Sequence, residues 1–552
     1  MILNFFIFFI TFYLAFLSIY TYGKYFRLLF FKHENDDLNI NNEFTNLFFG
    51  IAFFIIFSWF YHFSFGLKNE WINLFVFLLG IVFFILDKNK INNKIFYFIP
   101  VVLYSGILIY NNHNDFHLYH FQNIIELTDN NPKIGIGNLN PKYVYASLFI
   151  YFESLFHFPI YQYEFINIPR YLVFVSICGY LLLNVLEKNK FNQFLSAVFL
   201  IFFLLKFKRF SEHGYDYIAI FFIIFIFLEF FYTNQKKICN IKSIIFFFSV
   251  LICIKVTGLF FLPFIIYAIY KNFLIDFTIQ NWLKNLIPTF LVIFIFLTNS
   301  FLNSGCIFYP LKSTCINQNK ISWSVNYNYI DQESDVAKKW AKGFYHQNSS
   351  DKISNYDEYL KNGKWIFSWF QSHFMNKIFE PILIFICIFL IYYFLSRTDR
   401  KKKKNNLSII VLSYLSLLSW LLNLPQLRFG YSYVLIVIFL TFSYFLKKEN
   451  MVNKKSKVFI LLAFVFFNFH NMKRIFIEFD QNPNFPFYQT LSYETQLNQI
   501  NNLSYHKYIR DKNNVRVVNE KEKLILKYNL IFLNEDLDIQ KKYNFIILEQ
   551  KK

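Results

Sequence analysis

A chain of 552 residues that is 56% hydrophobic and 16% charged is too apolar for a soluble protein of this size, in which about 25% of residues are charged. Apolar runs of roughly 17–25 residues, the length that crosses a bilayer, recur along it. A net charge of +20 would suggest nucleic acid as the partner of a soluble protein, but these Lys and Arg residues lie in short loops between apolar runs, as the positive-inside rule predicts. The composition predicts a polytopic all-α membrane protein and excludes nucleic-acid binding.

Four apolar runs open the chain and predict its first membrane helices, over Ile2–Tyr22, Phe44–Phe63, Trp71–Leu86 and Ile95–Tyr110. The first run lacks the basic start and the small-residue cleavage site of a signal peptide, so we expect it to span the membrane. The basic turn Asp87–Lys94 marks the cytoplasmic side. The polar segment after the fourth helix is therefore expected on the outer face.

That segment, Asn111–Lys142, places Asp115, His117, Tyr119 and His120 within six positions of one another. Titratable groups at a membrane boundary are costly to desolvate, which favours a functional role. We expect a catalytic loop in which Asp115 is the general base, since desolvation raises the pKa of a carboxyl group toward the working pH. His117 or His120 would orient Asp115 or bind a phosphate. The alternative is a solvated loop in which a histidine caps the backbone.

A second polar cluster follows further apolar segments. Tyr143–Phe158 predicts an interfacial helix along the membrane, and Ile168–Leu186 and Phe191–Leu205 predict an inward and an outward crossing. The cluster, residues 206–217, then sets cations beside anions and imidazole: Arg209, Glu212, His213 and Asp216. This mixture suits a phosphate or metal–phosphate site, and equally a salt-bridged loop.

Two isolated cations extend the candidate site. Lys255 interrupts the apolar run Ser243–Tyr270, which predicts two short helices that meet beside it. Arg428 lies in the turn Pro425–Gly430 before a late helix, where a guanidinium can hold a phosphate with two hydrogen bonds. An arginine that extends to the lipid headgroups is the alternative at this position.

The whole pattern predicts about 13–14 transmembrane helices in residues 1–470, with outer loops at 111–142, 206–217 and 301–377. The third loop contains Cys306 and Cys315, which we expect to form a structural disulfide if the compartment is oxidising. Residues 471–552 are polar. Their alternating stretches VRVV, KLIL and NLIFL predict short strands in a small mixed α/β region outside the membrane.

In this topology the polar clusters all lie on the outer face, as a single active-site cavity requires. A topology that is assigned from basic loops alone could also place these polar clusters on one face by chance. No spacing demands a metal, so metal ligation stays open. A divalent metal held by Asp115, Glu212, His213 or Asp216 is a candidate cofactor.

Four motifs resemble a known class of enzymes: DFHLYHFQ (Asp115–Gln122), GNLN (Gly137–Asn140), SGCIFYPLKSTC (Ser304–Cys315) and PQLRFG (Pro425–Gly430). They are similar to an uncharacterised bacterial family of GT-C-like membrane proteins. The GT-C superfamily comprises multi-pass glycosyltransferases that use polyprenyl-phosphate sugars. The resemblance covers roughly residues 95–440.

The resemblance implies a transferase at the outer face of the bacterial inner (cytoplasmic) membrane. Its partners would be a polyprenyl-phosphate-linked sugar, which is the donor, and the lipid of the membrane. Its acceptor would be a hydroxyl group of an envelope glycan, lipid or protein. Asp115 matches the family's catalytic-loop aspartate, and Arg428 matches a late arginine near the donor phosphate; Tyr119, Arg209 and Lys255 are further candidates for substrate binding. The chain departs from the pattern in having three extra spans before Asp115 and only a loose second acidic motif, SEHGYDY.

Two other functions fit the composition. A polysaccharide polymerase should carry Arg-rich outer loops, whereas the outer loops of this chain are rich in Asp and His. A transporter or flippase of lipid-linked sugars would place charges at mid-membrane on discontinuous helices, and only the predicted break at Lys255 fits that pattern. We therefore favour the enzyme.

Overall fold

The structure is a computed structural model. It describes residues 2–31, 43–87, 91, 93–109, 116–138, 141–145, 147–159, 163–186, 190–236, 241–273, 286–346, 354–361, 363–395, 397–399, 407–445, 449–451, 454–481, 537–542 and 545–550.

Helices make up most of the described chain. Those before residue 280 are α1 (Ile2–Phe30), α2 (Glu43–Phe65), α3 (Glu70–Leu86), α4 (Lys94–Ile107), α5 (Phe121–Asp129), α6 (Pro141–Val144), α7 (Phe149–Ser154), α8 (Ile168–Leu186), α9 (Lys190–Leu205), α10 (Phe207–Phe210), α11 (Tyr215–Lys236), α12 (Ile241–Ile254) and α13 (Leu262–Phe273). Those after it are α14 (Ile287–Ser304), α15 (Tyr327–Ala341), α16 (Tyr356–Lys361), α17 (Lys364–Trp369), α18 (Phe379–Leu395), α19 (Leu407–Asn423), α20 (Leu427–Phe445) and α21 (Lys454–Gln481).

Shorter elements join the helices. Two π-helical turns cover Phe116–His120 and Phe370–Ile378, and 3₁₀ turns cover Ile136–Asn138, Tyr163–Phe165, Val256–Phe261, Lys312–Thr314 and Phe344–His346. The strands are β1 (Lys133–Ile134), β2 (Arg397–Asp399), β3 (Glu449–Met451), β4 (Leu537–Lys542) and β5 (Phe545–Gln550).

By length and composition, eight helical stretches of the described chain can cross a membrane: Phe5–Phe30, Glu43–Phe65, Tyr163–Leu186, Tyr215–Tyr232, Ile287–Ser304, Trp365–Leu395, Leu427–Tyr444 and Lys454–Ile477. Shorter apolar helices accompany them: Glu70–Leu86, Lys94–Ile107, Gln193–Leu205, Ile241–Ile254, Val256–Lys271 and Leu407–Asn423. The predicted multi-pass, all-α membrane protein is confirmed at this level.

Helix α3 shows how the apolar helices divide between the protein core and its surroundings. It buries a narrow stripe of Asn73, Phe77 and Gly80, while large apolar residues such as Trp71 and Ile85 are exposed. A soluble protein rarely exposes so much apolar surface on one helix, but lipid is a suitable neighbour for it. The stripe packs on α1, where a Cβ added to Gly80 would lie 2.1 Å from Ser18 Oγ. Small residues allow such close helix contacts in membranes.

The segment predicted as one interfacial helix, Tyr143–Phe158, is different in the structure. It forms two short helices, α6 and α7, and its titratable side chains Glu153 and His157 are buried. Each has a charged partner inside the protein, Arg170 for Glu153 and Glu70 for His157. The prediction of one continuous helix was wrong: it followed from the length of the apolar run, which cannot show that Glu153 and His157 are buried against partners elsewhere in the chain.

The strands form two small sheets. β4 and β5 pair antiparallel, and β5 pairs parallel with β1, so that Lys133 lies opposite Ile546. β2 and β3 pair antiparallel. The three stretches VRVV, KLIL and NLIFL lie outside the described residues. The last apolar helix, α21, continues to Gln481, beyond residue 470, where the membrane domain was predicted to end.

The predicted loop 301–377 contains α15, α16 and a disulfide between Cys306 and Cys315, but its predicted end was wrong, because the stretch that can cross a membrane already begins at Trp365. Cys306 is fully buried in a small apolar cluster with Val144, Val325 and Ile330. The disulfide therefore closes the start of this loop, which packs against α6 through Val144.

Candidate functional site

Asp216 is the residue at which three of the polar clusters meet. Its Oδ1 lies 2.9 Å from Nζ of Lys255, and its Oδ2 lies 3.7 Å from Nε of Arg428. The Asp216 side chain is 12% exposed, and the two cations are about one-third exposed. The fold thus brings together the ends of α11, α12 and α20. We call Asp216, Lys255 and Arg428 the charge triad.

Lys255 owes its position to a break between two helices. Its backbone is extended, with φ −155° and ψ 123°, and its N–H donates to the carbonyl of Leu251 and closes α12. The residues that follow, Val256, Thr257 and Gly258, are poor helix formers. The chain therefore continues as a 3₁₀ turn into α13, and Lys255 lies at the junction between the two predicted short helices.

Arg428 is positioned by the turn before α20. Its Nε donates to Oε1 of Gln426 at 3.2 Å, and Gln426 is buried. Nε2 of Gln426 has no hydrogen-bond partner among the described residues. A Cβ added to Gly430 would lie 2.0 Å from the ring of Trp420, so the glycine allows α20 to contact α19 here.

Aromatic rings surround the two cations of the triad. The guanidinium of Arg428 lies 4.5 Å from the ring centre of Trp340 and 5.0 Å from that of Phe429. Nζ of Lys255 lies 5.2 Å from the Phe429 ring. Cation–π contacts of this kind hold the charged heads in place. Trp340 belongs to α15, so the loop 301–377 reaches the triad.

A second group of charges lies beside the triad. Arg209 Nη1 is 2.7 Å from Oε1 of Glu212, whose other oxygen accepts a hydrogen bond from the Tyr217 hydroxyl at 3.0 Å. Burial lowers the pKa of Arg209, but Tyr217 and Glu212 outweigh it, so the pKa is raised and the guanidinium stays charged. Lys377 lies within electrostatic range of both Arg209 and Arg428. Four cations therefore accompany the carboxylates of Asp216 and Glu212, an arrangement that attracts an anion.

The histidines predicted for the site lie deeper. His120 and His213 are buried, with ring centres 5.3 Å apart, and both contact aromatic residues. Phe116 lies 4.0 Å from the His213 ring, and Tyr215 lies 4.9 Å from the His120 ring. The loops 111–142 and 206–217 are thus neighbours, and these two imidazoles lie at the interface between the loops.

The remaining predicted residues of the first loop are only partly described. Asp115 lies outside the described residues, and the structure gives the backbone alone for His117, in the π-helical turn Phe116–His120. Tyr119 is half-buried, and Nζ of Lys142 lies 5.4 Å from its ring centre. Among the described residues no three His, Cys, Asp or Glu side chains come together as a metal site would require.

A buried ion pair next to the site was not predicted. Arg170 Nε lies 2.5 Å from Oε1 of Glu153, and the Tyr215 hydroxyl donates to Oε2 of Glu153 at 3.0 Å. Burial raises the pKa of Glu153 to about 7, although Arg170 and Tyr215 oppose the rise. The sequence could have indicated this ion pair, since Arg170 is the single charge within the apolar segment 168–186 and such a charge needs a partner. No comparable signal marked Gln426, Trp340 or Lys377.

Comparison with known proteins places the chain in a family. Residues 5–435 match the family described as "Domain of unknown function (DUF8201)", and because the match covers most of the chain, the protein belongs to that family. Searches of the curated proteins and of the solved structures found no match.

Proposed function

We propose that this member of the DUF8201 family is a GT-C-like membrane glycosyltransferase. It would move a sugar from a polyprenyl-phosphate donor to an envelope glycan, lipid or protein acceptor. The proposed site faces the outer side of the bacterial inner membrane, in a domain of 13–14 spans that ends near residue 470. The observation that carries the proposal is the charge triad, in which Lys255 and Arg428 share the carboxylate of Asp216.

The triad supports a phosphate-linked donor for a chemical reason. When a sugar leaves its lipid phosphate, negative charge develops on the phosphate, and preorganised cations stabilise that charge. Arg428 and Lys255 supply a guanidinium and an ammonium, and Asp216 holds both in place before the donor arrives. The amide of Gln426 is a further donor beside Arg428.

Asp115 is proposed as the base that takes a proton from the acceptor hydroxyl. Phe116, the next residue in the chain, contacts His213, which is close in sequence to Asp216. This contact supports the proposal that a base in the loop 111–142 acts next to the cations of the loop 206–217. Asp216 is committed to two ion pairs, so we do not assign it the role of base.

Lipid and glycan profiles test the reaction and the role of Asp115 together. Mass spectrometry would compare cells lacking the protein with cells carrying wild type or Asp115→Asn. We expect one glycosylated product to be missing from both the null and the variant. A wild-type profile with Asp115→Asn would remove Asp115 from the mechanism.

A flippase of lipid-linked sugars is the second candidate, because the helix break at Lys255 is the kind of discontinuity that transporters use. Proteoliposomes separate the two functions. A transferase converts donor and acceptor to a new glycoside, whereas a flippase moves the lipid-linked sugar across the bilayer and makes no glycosidic product.

A further inference from the structure

A group of basic side chains lies near the end of the membrane stretch of α21, next to the loop 206–217. His470 on α21 lies within electrostatic range of three cations: Lys208, Lys473 and Arg474. Two of these cations follow His470 on α21, whereas Lys208 belongs to α10. We call these four residues the basic cluster.

The packing of two helices brings the basic cluster together. The ring centre of Phe207, on α10, lies 4.9 Å from that of Phe467, on α21, and both rings are buried. Lys208 is the next residue after Phe207, and His470 follows Phe467 by three positions, which is nearly one helical turn. The basic cluster is therefore built at the junction between α10 and α21.

The length of α21 places the basic cluster at the depth of lipid headgroups. About 20 helical residues cross the hydrocarbon core of a bilayer. Helix α21 begins at Lys454, whose side chain is exposed, and Arg474 lies about 20 residues further along it. When the first turn of α21 lies at one boundary of the membrane, the basic cluster lies at the other.

Large apolar side chains flank the basic cluster on the exposed face of α21. Phe469 is 70% exposed, and Phe466, Met472 and Phe476 are also exposed. Basic groups at headgroup depth attract anionic lipids, and exposed apolar side chains are suited to acyl chains. The surface therefore has the two properties that an anionic amphiphile requires.

Asn471 supplies a second, independent observation. It is 1% exposed, and neither Oδ1 nor Nδ2 has a hydrogen-bond partner among the described residues. It lies between the buried residues Phe467 and Ile475 on the packed face of α21, three positions before Arg474. A buried amide without a partner is unfavourable, and its place beside the basic cluster points to a polar ligand there.

The carboxylates described near α10 pair with other cations. Glu212 pairs with Arg209 at 2.7 Å, and Glu380 pairs with Lys206 at 2.6 Å. These two carboxylates are therefore engaged by cations outside the basic cluster. An anion from outside the chain is the ligand that suits several neighbouring basic groups.

We infer that the basic cluster binds the phosphate of an anionic phospholipid. Lys208, Lys473 and Arg474 attract the negative charge, and the amide of Asn471 donates a hydrogen bond to a phosphate oxygen. The acyl chains lie along the exposed apolar side chains of α21. The inference goes beyond the proposed reaction and does not depend on it, because a flippase with the same basic cluster would bind the same lipid.

Native mass spectrometry of the full-length protein in detergent tests this inference. The probes are phosphatidylglycerol and a phosphatidylcholine with the same acyl chains, in which choline balances the phosphate charge. We expect wild type to bind phosphatidylglycerol more tightly, and Lys208→Gln/Lys473→Gln to weaken that binding about thirtyfold, because two cations near the headgroup are removed. Equal affinities of wild type for the two lipids would overturn the inference.

Lys320→Gln/Lys361→Gln is the matched control for the change in charge. Both lysines are exposed in the loop 301–377, outside the basic cluster. The control variant should bind phosphatidylglycerol as wild type does. If it loses as much affinity as Lys208→Gln/Lys473→Gln, net charge rather than a site explains the binding, and the inference fails.

Asn471→Leu tests the amide separately from the cations. We expect it to weaken phosphatidylglycerol binding about fivefold through one lost hydrogen bond. Its unfolding midpoint in lipid-free detergent should be no lower than that of wild type, because no partner within the protein is lost. A lower midpoint with unchanged lipid binding would assign the amide to the fold and overturn the site as proposed.

Two further measurements identify the source of the phosphate. Inorganic phosphate that displaces phosphatidylglycerol at equal concentration would show a site for free phosphate and overturn the lipid assignment. Arg428→Gln should reduce transfer and leave phosphatidylglycerol binding intact, which separates this inference from the proposed function. Loss of phosphatidylglycerol binding in Arg428→Gln would place the lipid at the charge triad instead of the basic cluster.

Discussion

Nζ of Lys255 lies 2.9 Å from Oδ1 of Asp216, which joins the break after α12 to the first turn of α11. Asp216 is 12% exposed and Lys255 is 30% exposed, so the ammonium can be reached by a ligand while the carboxylate stays mostly buried. A cation held in this way among several others is suited to binding a charged ligand. This relationship gives the most direct test of the site.

Replacement of Lys255 by Gln should weaken donor use without unfolding the protein. The loss of one charge-assisted hydrogen bond to the donor phosphate, about 1.5–3 kcal/mol, corresponds to a rise in donor KM of about ten- to a hundredfold. The measurement is transfer in proteoliposomes against donor concentration. Lys312→Gln is the matched control, because Lys312 also pairs with an aspartate, Asp331 at 2.6 Å, but on an exposed part of the loop 301–377. Equal KM values for the two variants would contradict a phosphate role for Lys255.

The buried pair of Glu153 and Arg170 should matter far more for stability. Arg170→Met leaves the buried Glu153 carboxyl without its cation, so the variant must either keep an unpaired charge or take up a proton, and its unfolding free energy at pH 8 should fall, by at most about 3–5 kcal/mol. Adding Glu153→Gln should recover a large part of that loss, since no unpaired charge then stays in the core. Thermal unfolding of the single and double variants in detergent measures both effects. A double variant less stable than Arg170→Met would show that the ion pair is not the cause.

The same carboxyl predicts how stability depends on pH. The pKa of Glu153 is raised from 4.5 to about 7 by burial, so between these values the folded protein binds a proton that the unfolded chain has lost. Stability should therefore fall as pH rises from 4.5 to 7, by about 3 kcal/mol from this group, and then level off. Unfolding midpoints across this range should show a shallower decline in Glu153→Gln than in wild type. Identical declines would assign the titration to other groups.

Sequence patterns predicted the helical membrane architecture because apolar run length is a local property. They also singled out Asp216, Lys255 and Arg428, since charges next to apolar runs are visible in the sequence. They could not show that these three residues touch, because the contacts join helices that are far apart in the chain. The segment that contains Glu153 was assigned to an interfacial helix because its length is marginal for crossing, and its partner Arg170 is identified only by tertiary packing.

Removal of the disulfide should loosen the loop 301–377. Cys306 and Cys315 are nine positions apart, and a crosslink of that span stabilises the folded state by about 2–3 kcal/mol. In the Cys306→Ser/Cys315→Ser variant we expect faster proteolysis within residues 301–346 and an unchanged cleavage pattern elsewhere. Cys178→Ser is a control for the loss of a buried sulfur, because Cys178 is a buried free cysteine on α8. Equal proteolysis rates for wild type and the double variant would show that the disulfide does not hold this loop in place.

Trp340 should support the candidate site from the loop 301–377 by holding Arg428. Its ring lies 4.5 Å from the guanidinium, and a cation–π contact of this kind contributes about 0.5–2 kcal/mol. Trp340→Ala should therefore raise the donor KM about two- to thirtyfold, because Arg428 loses the ring that orients it. Trp340→Phe, which keeps an aromatic face, should recover most of the affinity, whereas a role in bulk packing alone would be served equally by Trp340→Leu. If Trp340→Leu and Trp340→Phe have the same KM, the ring acts as apolar filling and not as a partner of Arg428.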